Sequence, residues 1–196
     1  MRHLSARALV LALILLVLPV ACDTGTTGGA ADSTARASAS GEFVRTCSTE
    51  AYGPLSADGM DQSVAVGSLT FYAIEQYSDL SSASSFTRGA GGYSGTKVLV
   101  VIDEGRKVTI EVPPEERDVL SLLFDPQALT KDNLYEVANG DASVTFAPCV
   151  HSPGRPSQFP GAFVVAGARC ATVNVYQGTP RQMSQVVISF GAGLCD

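Results

Sequence analysis

Basic residues are scarce and scattered: 13 Lys and Arg stand against 19 Asp and Glu, and no basic run occurs. Phosphate backbones and anionic headgroups are gripped by clustered Lys and Arg, so this composition argues against nucleic acid as a partner. Histidine is rarer still, with only His3 and His151 in the chain. A Ser-His-Asp hydrolase needs a base held against a nucleophile, and no G-x-S-x-G elbow precedes a helix. No C-x-x-C pair is present, which speaks against a four-thiolate zinc site. No apolar run reaches the roughly 20 residues that a membrane-spanning helix requires. The nearest, residues 8–21, falls short.

That short run has another meaning. Arg2 and Arg7 precede an apolar block from Ala8 to Leu18, Pro19 breaks it, and Val20-Ala21 places a small residue before Cys22. Charge, grease and small residue in that order make a cleaved signal peptide. The segment Leu18-Pro19-Val20-Ala21-Cys22 resembles the lipobox of bacterial lipoproteins, in which the cysteine after the cut is acylated. Pro19 stands where that family favours leucine, with Leu18 one place further back. The resemblance implies a lipid-anchored protein at the extracellular face of the cell membrane, held through Cys22. The plainer alternative is general signal cleavage, with Cys22 an incidental thiol. Either cut removes both N-terminal arginines, leaving 11 basic against 19 acidic residues, a net charge near −8.

Residues 23–42 hold no large apolar side chain and are mostly Gly, Ser, Thr and Ala. Such a segment cannot bury enough surface to order itself. As a coil it spans about 25 Å on average, a tether for the domain beyond it. Four cysteines lie in that domain: Cys47, Cys149, Cys170 and Cys195. An even number in an exported chain predicts two disulfides, with a structural zinc site as the rival. Of the three pairings, Cys149–Cys170 is favoured because it closes a short Pro-rich loop. Cys47–Cys195 would then tie the ends of the domain together.

From Phe43 to Asp196 the pattern is β almost throughout. Ser63–Ile74 mixes β-branched and aromatic residues. Lys97–Ile102 and Lys107–Val112 flank the loop Asp103-Glu104-Gly105-Arg106 and read as a hairpin, with Gly105 at positive φ. Val108, Ile110 and Val112 alternate with Thr109 and Glu111, as a half-buried strand requires. Residues 115–124 admit a helix or a strand, and Val119–Phe124 is read as a buried strand. Asn139-Gly140 signals a second hairpin. Ala162–Gly167, Cys170–Gly178 and Ser184–Gly191 complete eight to ten short strands. The fold class expected is an all-β sandwich, immunoglobulin-like or jelly-roll-like, forming a single domain with two disulfides.

The C-terminal half carries a second resemblance. Its marks are the run Ser143-Val144-Thr145-Phe146-Ala147-Pro148-Cys149, then Gly161-Ala162-Phe163-Val164-Val165 before Cys170, and Phe190-Gly191 before Cys195. Residues 119–195 are similar to exported proteins and lipoproteins of high-GC Gram-positive bacteria, with Gly161-Ala162 standing where those proteins favour two glycines. That likeness implies a small disulfide-linked extracellular domain and no particular activity.

Candidate chemistry is sparse. His151 has Ser152 beside it, but sequence neighbours do not normally face each other, and a solvated loop histidine is the simpler reading. Asp103-Glu104 and Glu115-Glu116 read as loop charges rather than the paired carboxylates of a glycosidase. Asp58 and Asp61 around Gly59 miss the calcium-loop register and read as a turn. No catalytic residue, metal ligand or cofactor is assigned. The best candidate surface is the Pro148–Pro160 loop, which holds His151, Arg155, Gln158 and Phe159 for a partner that could be protein, glycan or small ligand. The alternative is a plain crossover between sheets. If Arg155 and Phe159 serve recognition, changing both to Ala should leave stability nearly unchanged. A hydrolase acting on cell-wall or extracellular polymer is the competing function.

Overall fold

The computed structural model describes residues 39, 41–79, 87–88, 93–127, 136–151 and 153–195. The expected signal segment, Cys22 and nearly all of the expected tether lie outside them. The described domain begins earlier than Phe43, because Ala39 is buried and its amide donates to the Arg117 carbonyl at 2.8 Å.

The strands are β1 (Glu42–Arg45), β2 (Val64–Val66), β3 (Leu69–Tyr72), β4 (Thr87–Arg88), β5 (Tyr93–Ile102) and β6 (Val108–Glu111). They continue as β7 (Leu120–Leu123), β8 (Ser143–Phe146), β9 (Ser157–Ala166), β10 (Arg169–Gln177) and β11 (Gln182–Phe190). They form two sheets, as the sequence pattern requires. One runs β1-β8-β6-β10-β11; the other runs β2-β3-β5-β9-β7, with β4 against β5. All pairings are antiparallel except β1 with β8. The longest described helix is the five-residue turn Ala57–Asp61, capped by Ser56, whose Oγ accepts from the Gly59 amide. Asp58 and Asp61 sit in this turn.

Between the sheets, alternate residues of each strand interdigitate. Phe71 and Val100 face Ile110, Val144, Val173 and Val175, all completely buried. Phenylalanines run through this layer, with ring centroids 5.3 Å apart for Phe124–Phe146, 5.0 Å for Phe146–Phe159 and 5.3 Å for Phe163–Phe190. A second apolar cluster of Ala39, Leu123, Val137, Ala142, Ala162 and Val164 covers the far side of β7 and β9. Burial on both faces explains why Ala162–Ala166 of β9 is a continuous apolar run and why all four residues of β7, Ser121 included, are buried. It also decides residues 119–124: β7 pairs with β9 from Leu120↔Val165 to Leu123↔Ala162, and the strand reading holds.

Two expected hairpins are not formed. β5 pairs with β3 and β9, whereas β6 pairs with β8 and β10, so residues 103–106 carry the chain from one sheet to the other. Gly105 does adopt φ +69°, and its amide donates to the Cys149 carbonyl at 2.9 Å. Crossing lets the apolar faces of both arms meet across the core, where a hairpin would lay them side by side. Asn139 closes a short 3-10 turn, and Gly140 has φ −103°, not the positive φ of a tight hairpin. Gly140 is needed for space: a Cβ there would sit 2.4 Å from the Ser121 hydroxyl. A hairpin does occur inside Ser63–Ile74, where Gly67-Ser68 joins β2 to β3 with Gly67 at φ +58°.

The disulfides are Cys47–Cys149 and Cys170–Cys195, correcting both favoured pairings. Strand pairing dictates them. β1 and β8 run parallel with Arg45 opposite Phe146, so the residues just beyond each strand emerge together and bring the Cα atoms of Cys47 and Cys149 to 5.6 Å. Cys170 lies near the start of β10, opposite Ser189 at the end of β11, and the tail returns Cys195 to within 5.8 Å. These bonds also remove the thiolates that a zinc site would need.

Candidate functional site

The loop that leaves β8 is pinned at its base by Cys149 and joined from below by residues 47–53. Here His151 Nε2 lies 2.7 Å from Glu50 Oε2, with the Glu50 side chain only 1% exposed and His151 14%. The Tyr52 hydroxyl donates to the same carboxylate oxygen at 3.4 Å, and its ring meets His151 edge-on at 6.3 Å. Glu50 Oε1 is buried without a hydrogen-bond partner among the described residues. The Arg155 guanidinium lies 4.2 Å above the Tyr52 ring, and the Gly154 amide donates to Glu104 at 2.8 Å. Tyr52 and Val150 remain largely exposed beside it.

Of the expected loop residues, His151 and Arg155 belong to this cluster. Gln158 and Phe159 do not present themselves to solvent as expected, because β9 already begins at Ser157. Gln158 spends its side-chain amide on the Gly53 carbonyl at 2.9 Å, and its own carbonyl accepts from Ala51 at 2.8 Å. It fastens residues 51–53 to the sheet. Phe159 is fully buried against Phe146. Ser152 lies outside the described residues. Glu50 and Tyr52 were missed in the sequence because they are about 100 positions from the loop, and only the parallel β1–β8 pairing brings them to it.

The three sulfur and carboxylate donors of Cys47, Cys149 and Glu50 fall within 4.8 Å of one another. Two are already bonded to each other, so the donor set is a disulfide beside a carboxylate. Beneath it Arg45 is buried, donating to the Phe124 carbonyl and to the Thr49 carbonyl, the latter at 2.8 Å. Desolvation lowers its proton affinity and the nearby Asp125 carboxylate partly restores it. Arg45 thereby braces the turn that carries Glu50.

Asp141 is a second perturbed group. Burial, aided by repulsion from Asp125, raises its carboxyl pKa above the ordinary value. The fold therefore favours the protonated form. Stability from this site is fully present below the unfolded carboxylate pKa of about 3.9 and is lost as pH rises through the higher folded value. Asp141→Asn is expected to raise the melting temperature near neutral pH and to leave it almost unchanged near pH 3, a difference that two thermal scans at about these pH values would check. Equal shifts at both would assign the effect to packing.

A concave surface lies on the outer face of the β1-β8-β6-β10-β11 sheet, with a volume of ≈ 360 Å³. Tyr176, Thr109 and Thr145 form a row across three strands. Lys107, Glu42 and Arg181 rim it, and the Arg181 guanidinium stacks 4.0 Å from the Tyr176 ring centroid. Comparison of the chain with protein-family models, curated proteins and solved structures finds no match. The functional reading therefore rests on the chain's own residues.

Proposed function

We propose that this chain is an exported lipoprotein, anchored through acylated Cys22 at the outer face of the cell membrane, whose β-sandwich binds a ligand rather than catalysing a reaction. The observation that carries the reading is the state of the cysteines. All four beyond Cys22 are consumed in two disulfides. Disulfides persist outside the reducing cytoplasm, and the one cysteine left over is the one that ends the apolar run. Each buried acyl methylene contributes about 0.8 kcal/mol to membrane anchoring. The rival, a hydrolase acting on cell-wall or extracellular polymer through carboxylates, needs two inward carboxylates or a histidine against a hydroxyl nucleophile; His151 lies against the Glu50 carboxylate instead.

Metabolic labelling with a radioactive fatty acid tests the anchor. The protein should carry label in the membrane fraction, and Cys22→Ala should lose the label and release the protein. An unlabelled chain, or label that survives Cys22→Ala, would count against lipidation. Recovery of the chain in the cytosol with free thiols would count against export itself.

A further inference from the structure

We infer that the concave outer face of the β1-β8-β6-β10-β11 sheet is a binding site for an acidic sugar, one that carries a carboxylate or phosphate beside its hydroxyls. This inference rests on the binding role proposed above and names its ligand class.

The floor of the site is polarised. Thr145 Oγ1 lies within hydrogen-bond distance of both Glu42 Oε1, at 3.4 Å, and Thr109 Oγ1, at 2.9 Å. The three groups hold two hydroxyl hydrogens between them and a surplus of oxygen lone pairs, which accept. Ligand hydroxyls, which donate, match that floor. The rim has the opposite character. Lys107 and Arg181 bring two cations against the single carboxylate of Glu42, on a chain where acids outnumber bases 19 to 13. Among the described residues neither cation makes an ion pair. A local excess of positive charge on an acidic protein attracts an anion.

The site is also pre-shaped. Stacking on Tyr176 holds the planar Arg181 fork in place, so less side-chain freedom is lost when a carboxylate or phosphate docks on it. The strand beneath is fastened to the opposite sheet by Gln177. Its Oε1 accepts from the Ser68 amide at 2.8 Å and the Ser68 hydroxyl at 2.7 Å, and its Nε2 donates to the Val66 carbonyl at 3.0 Å. The hairpin that presents Arg181 is thus anchored at its root.

The test is an NMR titration of the full-length, ¹⁵N-labelled chain from an exporting host with glucuronate, glucose 6-phosphate, glucose and inorganic phosphate. Glucuronate, glucose 6-phosphate or both should shift the amides of Thr109, Thr145, Gly178 and Thr179. Binding should be at least about tenfold tighter than for glucose and should weaken with salt. Arg181→Ala should reduce it by about tenfold with the melting temperature unchanged. Thr145→Val should weaken sugar binding and spare any binding of phosphate. The inference is overturned if glucose binds as well as the acidic sugars, if phosphate alone matches glucose 6-phosphate, if shifts fall elsewhere, or if no probe binds at millimolar concentration. Membrane localisation of the same preparation is scored separately, so loss of the anchor and loss of the sugar site are distinguishable.

Discussion

Phe159→Ala is expected to destabilise the domain by about 4 kcal/mol and to lower its melting temperature by roughly 10 °C or more. The ring is fully buried, 5.0 Å from Phe146 and 5.7 Å from the Arg45 guanidinium. Removing it leaves a cavity at the centre of the phenylalanine layer and strips Arg45 of the aromatic face it packs on. Cavities left by Phe→Ala cost about 3–5 kcal/mol when the surroundings cannot collapse, and a site walled by paired strands cannot. Arg155→Ala should behave oppositely. Its guanidinium sits over the exposed Tyr52 ring, a contact worth about 0.5–1 kcal/mol at the surface. Urea or thermal unfolding of the two single variants separates these outcomes. A Phe159→Ala protein that melts with the parent would show that the ring is not core. The double change of Arg155 and Phe159, which would have been nearly silent if both served recognition, is instead dominated by Phe159.

The contrast shows what local sequence carries. Alternation in Val108–Val112 identified a strand and its inward face, because period-two burial is a property of each strand alone. The mostly apolar stretch Leu120–Leu123 was legible as a strand for a related reason, since burial on two faces removes the alternation without removing the strand. Sheet membership was not legible. The arms around Asp103–Arg106 have the same pattern whether they pair with each other or face each other across the core. Gly105 takes positive φ in either case. The candidate site suffered from the same gap. His151 and Arg155 lie in the loop that was singled out, but their partners Glu50 and Tyr52 reach it through the parallel pairing of β1 and β8. No turn residue signals that pairing. Arg45 and Glu50 are charged residues inside a protein, and composition would place both on the surface. Only their neighbours, two carbonyls for one and an imidazole for the other, show why they are not.

Replacing Cys47 and Cys149 together by Ala should cost more than the matching change at Cys170 and Cys195. The first bond spans 102 residues and the second 25. In the chain-entropy model these closures contribute about 5 and about 3.5 kcal/mol. Against a total stability of about 5–15 kcal/mol, losing the larger is enough to populate the unfolded chain at physiological temperature. Two local effects add to it. Cys149 is part of the buried core, and the bond holds the 3-10 turn Cys47–Thr49, whose Thr49 carbonyl Arg45 requires. Released, that turn would no longer seat Glu50 under His151, so the loop should become open to proteolysis between residues 148 and 156. The Cys170–Cys195 bond closes only the tail onto the β10–β11 hairpin, and its loss should leave the Glu50–His151 contact in place. Denaturant unfolding of the two double variants, followed by limited proteolysis and mass mapping of the first cut, reads both effects. If the Cys170–Cys195 variant proves the less stable, or if the first cut in the Cys47–Cys149 variant falls outside residues 148–156, the central brace of this fold lies elsewhere.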